Sequence, residues 1–271
     1  MLLINVEELV KKERLTYQDM HKAFAALYKL DYNPVAVKFF FNQQEYDNLE
    51  VEKVPGPKMT FCQVALASRM EDYIVKFNAD KLMCGNAKIS FGFNAPTDQD
   101  VDDHVKFVND WDFAKECMLA KPRLPVGELK GIMTAPLYKT PVKPDVIFMV
   151  TDVFQAYHVL NDYIGATGVP TVESTHTINS AACGGAVRCY SKNSAGMSTM
   201  CAGSYTSGKT ERGEVNLFIP GDHIEQLASH LLRRTNHYKN GSSFLGAGGQ
   251  EYPGLDVCKQ CPMVRFKDYA K

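Results

Sequence analysis

The chain has 271 residues, 30 Lys+Arg against 31 Asp+Glu for a net charge of −1, and is 45% hydrophobic and 23% charged, the make-up of an ordinary globular protein. That balance excludes a charge-driven nucleic-acid binder and a disordered chain. No run approaches the roughly 18 apolar residues of a membrane helix, since Val146–Val150 is bounded by Asp145 and Asp152; a soluble protein with no membrane and no nucleic-acid partner is expected.

Met1 to Glu8 has neither a basic start nor a long apolar run, so a cytoplasmic location is expected. Thr16 and Asp19 form a capping-box pattern ahead of Met20, Phe24 and Leu27, which predicts an amphipathic helix over about 16–30. Pro34 introduces a β-branched and aromatic strand, Val35 to Phe41. After the break at Pro55-Gly56-Pro57, Thr60 and Gln63 form a second capping box and open a helix over Phe61 to Glu71, followed by a short strand at Ile74 to Phe77. From Pro96 to Pro125 the chain is polar, with the acidic cluster Asp98 to Asp103 as a solvated loop and one short helix around Trp111 to Leu119.

The second half alternates more clearly. Strands are predicted at Gly131 to Leu137 and Asp145 to Thr151, then a helix capped by Asp152 and Gln155 with the stripe Val153, Ala156, Tyr157, Leu160 and Ile164. A strand at Thr171 to Glu173, a helix around Ser180 to Tyr190, a strand at Glu214 to Ile219 and a helix facing Ile224, Leu227, Ala228, Leu231 and Leu232 inward complete it. The class is therefore α/β or α+β, a single domain of two weakly related strand-helix halves. Residues 1–33 form an N-terminal helical segment. A core at 34–240 contains halves at about 34–95 and 131–220 joined by a connection at about 96–130, and 241–271 is a C-terminal tail.

The two halves share a pattern: strand, helix start with a cysteine, then a second cysteine before small residues. Pro34-Val-Ala-Val-Lys-Phe-Phe precedes Cys62 and Cys84-Gly-Asn-Ala; Pro144-Asp-Val-Ile-Phe-Met-Val precedes Cys183 and Cys201-Ala-Gly-Ser. Cys62 and Cys183 fall in first helical turns, where the helix dipole favours the thiolate. Cys84 and Cys201 precede tight turns whose amides can approach an anion. In a reducing compartment eight cysteines are metal ligands, reactive thiols or buried small hydrophobes rather than disulfides. If a pseudo-twofold axis relates the halves, Cys62, Cys84, Cys183 and Cys201 converge, and four thiolates suit an iron-sulfur cluster, such as 4Fe-4S, or a structural zinc ion. The CxxC pair Cys258 and Cys261 is a further pair of metal ligands, a redox pair or an inert pair. Cys117 and Cys189 read as core.

Other patterns carry less. Gly203 to Thr210 matches GxxxxGK[ST] but runs directly into a strand, leaving no helix to hold phosphates. His223, His230 and His237 recur every seven residues, about 10 Å apart on a helix, too far to share a metal. His176, seven residues before Cys183, is the better polar-site candidate.

The Pro-Val-Ala-Val-Lys-Phe opening at 34, Cys62 before Gln-Val-Ala-Leu-Ala, Cys84-Gly-Asn-Ala leading to Phe91-Gly92-Phe93, Ala135-Pro136-Leu137, Pro144-Asp145-Val146-Ile147, and Cys183 through Cys201-Ala-Gly together resemble the domain-of-unknown-function family numbered 169, over about 34–232. The resemblance implies one domain built from related halves. The family's setting in archaea and anaerobic bacteria adds weight to an oxygen-sensitive cofactor. The first expectation is a cytoplasmic metal-thiolate protein, iron-sulfur or alternatively zinc, with redox or Lewis-acid chemistry on a small molecule. The alternatives are a non-catalytic small-molecule-binding protein using the Ser/Thr/Gly-rich stretch Thr171 to Thr210, and a thiol oxidoreductase using Cys258 and Cys261. A homodimer is compatible with all three.

Overall fold

A computed structural model of the chain describes residues 5–51 and 58–237. Helix α1 (Val6–Val10) is capped by Asn5, and α2 (Tyr17–Leu27) starts at the Thr16–Asp19 capping box. Strand β1 (Val35–Phe40) is followed by α3 (Gln43–Asn48), capped by Asn42. Helix α4 (Phe61–Met70) begins at the Thr60–Gln63 capping box; β2 (Val75–Phe77) and α5 (Gly85–Ser90), with Cys84 as its N-cap residue, come next.

The connection differs from the sequence expectation. It forms two helices, α6 (Asp98–Val108) and α7 (Trp111–Leu119), and the acidic cluster is the start of α6 rather than a loop. Thr97 and Asp100 cap each other there, and acids at a helix start complement its positive end. Val101 and His104 supply its buried face.

Strands β3 (Gly131–Pro136) and β4 (Val146–Asp152) lead into α8 (Val153–Thr167), capped by Asp152 and Gln155. The buried stripe of α8 is Ala156, His158, Val159, Asp162 and Tyr163, whereas Val153 and Tyr157 are exposed, so the helix is rotated from the expected stripe. Two polar side chains face inward, which hydrophobic periodicity alone does not anticipate. Then come β5 (Glu173–Thr175), α9 (Ala181–Lys192), β6 (Gly196–Ser198), α10 (Ala202–Ser207), β7 (Glu214–Pro220) and α11 (Ile224–His237).

The strands form one mixed sheet in the order β2-β3-β1-β4-β7-β6-β5, antiparallel except for β5 and β6. Apart from the edge strand β5, which has no counterpart, the order is symmetric about the β1–β4 pair, in which Ala36 lies opposite Ile147. β1, β2 and β3 correspond to β4, β6 and β7, and each set connects through a helix before and a helix after its short strand. By topology the halves therefore run over 35–136 and 146–220, with β3 among the first-half strands and α6–α7 inserted between α5 and β3.

Strand alternation divides the core. Val35, Val37, Phe39, Ile132, Val146, Phe148 and Phe218 face α4, α5 and α9, whereas Ala36, Ile147, Met149, Leu217 and Ile219 face α2, α8 and α11. Helix α9 approaches the sheet closely because it carries Gly185: a Cβ there would lie 2.1 Å from Phe218 Cε2. Phe218 is itself stacked on Phe148 at 5.2 Å between ring centroids and cannot yield cheaply. Gly185→Ala is expected to destabilise by about 1–3 kcal/mol through overpacking, despite alanine's higher helix propensity; thermal unfolding checks it.

Candidate functional site

Helix starts position four cysteines. Cys62 follows Phe61 at the start of α4, Cys183 lies in the first turn of α9, and Cys84 and Cys201 are the N-cap residues of α5 and α10. The helices pack across the halves: α4 on α10 and on α9, and α5 on α9. First-half Cys62 thus meets second-half Cys201, and second-half Cys183 is coupled to first-half Cys84, the arrangement expected of a pseudo-twofold relation.

The Cys62–Cys201 pair is the tighter one. Ser204 Oγ lies 3.6 Å from Cys201 Sγ and 3.8 Å from Cys62 Sγ, and a Cβ on Gly203 would be 3.8 Å from both sulfurs. The neighbouring Cys62 thiol pushes Cys201 down to about 4, opposed by burial and assisted by the Ser204 hydroxyl and the Ser204 and Ala181 backbone N–H groups. Cys201 beside it, with burial, pushes Cys62 up.

Cys183 is pushed up to about 12, first by burial and then by the charge of Cys84, while Ser90 and the Gly184 N–H act the other way. Beside it lies a buried cation. Lys121, 2% exposed, donates from Nζ to Asn86 Oδ1 at 2.7 Å and to His104 Nε2. His104 Nδ1 lies 2.8 Å from the Asp100 carbonyl, which fixes Nδ1 as the donor and leaves Nε2 to accept.

A narrow crevice beside Cys62, with room for about one water molecule, is lined by Arg69, Ser204, Thr210 and Asn216 over walls of Phe148 and Val150. Arg69 pairs with Glu214 at 2.9 Å. Arg69 Nε and Nη1, Thr210 Oγ1 and Asn216 Oδ1 are buried and have no hydrogen-bond partner among the described residues. Among the described residues no group of three or more His, Cys, Asp or Glu side chains could hold a single metal ion.

The remaining sequence candidates lie elsewhere. Cys258 and Cys261 fall outside the described residues. Cys189 is buried core, whereas Cys117 is only partly buried. His176 is exposed and lies 2.6 Å from Thr199 Oγ1, two residues before Cys201. His223 hydrogen-bonds Tyr163, and His230 faces Asp162 at 3.8 Å. Gly203 to Thr210 carries the six-residue α10 and then runs into β7, so no long helix follows it. Lys121 and Arg69 were not among the sequence candidates, and Ser204 entered only as part of the Thr171 to Thr210 stretch. Arg69 had a signal, seven residues from Cys62 and so on the same helix face; Lys121, in a stretch read as a connection, had none.

A family model matches residues 23–230, over the sheet, all four site cysteines and Lys121; it is that of DUF169, described as uncharacterised ArCR. The chain belongs to the DUF169 family. The DUF169 match stops short of Cys258 and Cys261. No curated protein and no solved structure matches the chain. No helix among the described residues is long and apolar enough to cross a membrane.

Proposed function

We propose that this DUF169 protein is a cysteine-ligated metal protein of the iron-sulfur class, with Cys62, Cys84, Cys183 and Cys201 as its thiolate ligands. The observation that supports this reading is the crossed pairing of four helix-start cysteines from two topologically matched halves. Each of the four cysteines sits at a helix cap or first turn, Cys183 buried and the other three partly buried. The six cysteines of the described residues are free thiols, which fits a reducing, cytoplasmic setting.

Zinc is the alternative metal, since four thiolates suit a structural zinc ion as well as a cluster. When bound, a cluster would supply one-electron transfer or, with one iron open, Lewis-acid chemistry on a small molecule. The chain's own groups near that ligand would be Ser204 and the partnerless polar atoms of Arg69, Thr210 and Asn216 in the crevice.

The test is iron, acid-labile sulfide and a visible spectrum on the full chain purified without oxygen. Several irons per chain with matching sulfide, and absorbance lost in air, are expected. Folded protein with neither iron nor sulfide overturns the reading.

A further inference from the structure

The crevice between α4, β4 and β7 is lined by polar groups that the described protein leaves unused. Arg69, on α4, and Asn216, on β7, are 3% and 0% exposed. The Arg69 guanidinium gives one N–H group to Glu214, Nη2 to Oε1 at 2.9 Å, and lies over the Tyr32 ring, 4.5 Å from its centroid. Its charge is therefore already balanced by a carboxylate, yet its Nε and Nη1 have no partner among the described residues. Buried N–H groups without an acceptor are costly, and more so on a cation.

Asn216 presents the opposite character. Its Nδ2 donates to Ser198 Oγ at 3.1 Å and to the Thr199 carbonyl at 3.4 Å, while the Ser198 hydroxyl donates onward to the Ala181 carbonyl at 3.1 Å. Both neighbours thus require a donor from Asn216, which fixes the orientation of its amide and leaves Oδ1 as the buried acceptor without a partner. Thr210 Oγ1, also partnerless, can donate or accept. The crevice accordingly calls for a group that accepts from Arg69 and donates to Asn216. A carboxylate meets only the first demand: it would set an oxygen against Asn216 Oδ1 and add negative charge where Glu214 already balances Arg69. The space is that of about one water molecule, which is the size of a single hydroxyl oxygen, and the walls beside it are the apolar side chains of Phe148 and Val150.

We propose that this crevice binds the hydroxyl group of a small uncharged alcohol, with the oxygen accepting from Arg69 and the hydrogen donated to Asn216 Oδ1. The alkyl part meets the apolar wall, the usual division of a small-molecule site into apolar lining and a few placed polar groups. Cys62 and Ser204 line the same crevice, so the bound hydroxyl stands at the Cys62–Cys201 pair. The binding needs no metal on the thiols, and its failure leaves the iron-sulfur reading standing.

The test is saturation-transfer NMR on the full chain purified without oxygen, with ethanol, acetamide and acetate as probes, each titrated separately. Saturable binding of ethanol, tighter than that of acetamide or acetate, is expected. Arg69→Lys, which keeps a cation for Glu214 but lacks the guanidinium N–H groups, is expected to bind ethanol at least about tenfold more weakly. Should that variant not fold, Thr210→Val removes a hydroxyl that makes no hydrogen bond within the described protein, and ethanol binding about threefold weaker is expected of it. No saturable ethanol binding by the wild type overturns the inference, because the crevice would then hold an ordered water only. Tighter binding of acetate or acetamide overturns it in favour of an anion or amide site. Unchanged ethanol affinity in a folded variant overturns it as well, by placing the alcohol elsewhere.

Discussion

Cys183→Ala, purified without oxygen, is expected to lose most of its iron and visible absorbance, with retention at least about tenfold weaker than wild type. Loss of an outer-shell partner alone costs 10–100-fold in affinity, and a ligand costs more. Cys62→Ala, Cys84→Ala and Cys201→Ala are expected to behave alike, because the crossed pairing gives each half one member of each pair. Cys189→Ala is the control. Its sulfur is fully buried in the core facing α4 and α9, so a modest loss of stability with iron unchanged is expected. Iron and sulfide quantified per chain decide the outcome, and full retention in all four single variants would falsify the ligand assignment. A metal-free wild type that oxidises to a Cys62–Cys201 disulfide would replace metal binding by thiol redox chemistry, since both sulfurs lie within 3.8 Å of the same Ser204 hydroxyl.

Asp162→Ala is expected to cost about 3–5 kcal/mol, the range for stripping one partner from a buried ion pair. The Asp162 side chain, 3% exposed on α8, receives Arg234 Nε at 2.6 Å and Nη2 at 2.8 Å from α11, and the Tyr28 hydroxyl at 3.0 Å from the end of α2. One carboxylate thus ties together the three helices on the face of the sheet opposite the cysteines. Burial and the Asp162 charge push the Tyr28 phenol well up, so it stays a hydroxyl donor that needs this acceptor. A fall in midpoint temperature of about 10 °C is expected by thermal unfolding. Asp162→Asn, which keeps an acceptor for Tyr28 but loses the charge, is expected to fall between Ala and wild type. Iron content is expected to be unchanged in either folded variant, because the sheet separates Asp162 from the sulfurs.

Local signals in the sequence carried a large part of the fold. The Thr16–Asp19, Thr60–Gln63 and Asp152–Gln155 pairs each cap the expected helix, since a capping box is complete within four residues. The inward face of α11 is likewise as expected, with Ile224, Leu227, Ala228, Leu231 and Leu232 all buried. Where a residue's partner is distant, the reading failed. On α8 the inward residues include Asp162, whose partners Tyr28 and Arg234 come from other helices, so its stripe is not an apolar one. The acids of 98–103 are equally polar in a loop or on an exposed helix, and the Thr97–Asp100 cap was the one local sign that separates the two.

The same division runs through the site. The sequence by itself determined that Cys62 and Cys183 occupy helix starts and that a cysteine pattern recurs in two halves, because caps and short motifs are local, whereas Cys84 and Cys201, read as preceding tight turns, cap short helices in the structure. Only the tertiary structure decided the partners, Cys62 with Cys201 and Cys183 with Cys84, because that follows from two strand sets meeting antiparallel at β1 and β4. It alone brought Lys121 onto Asn86 and His104, since a cation's environment is set by chain segments far from it in sequence.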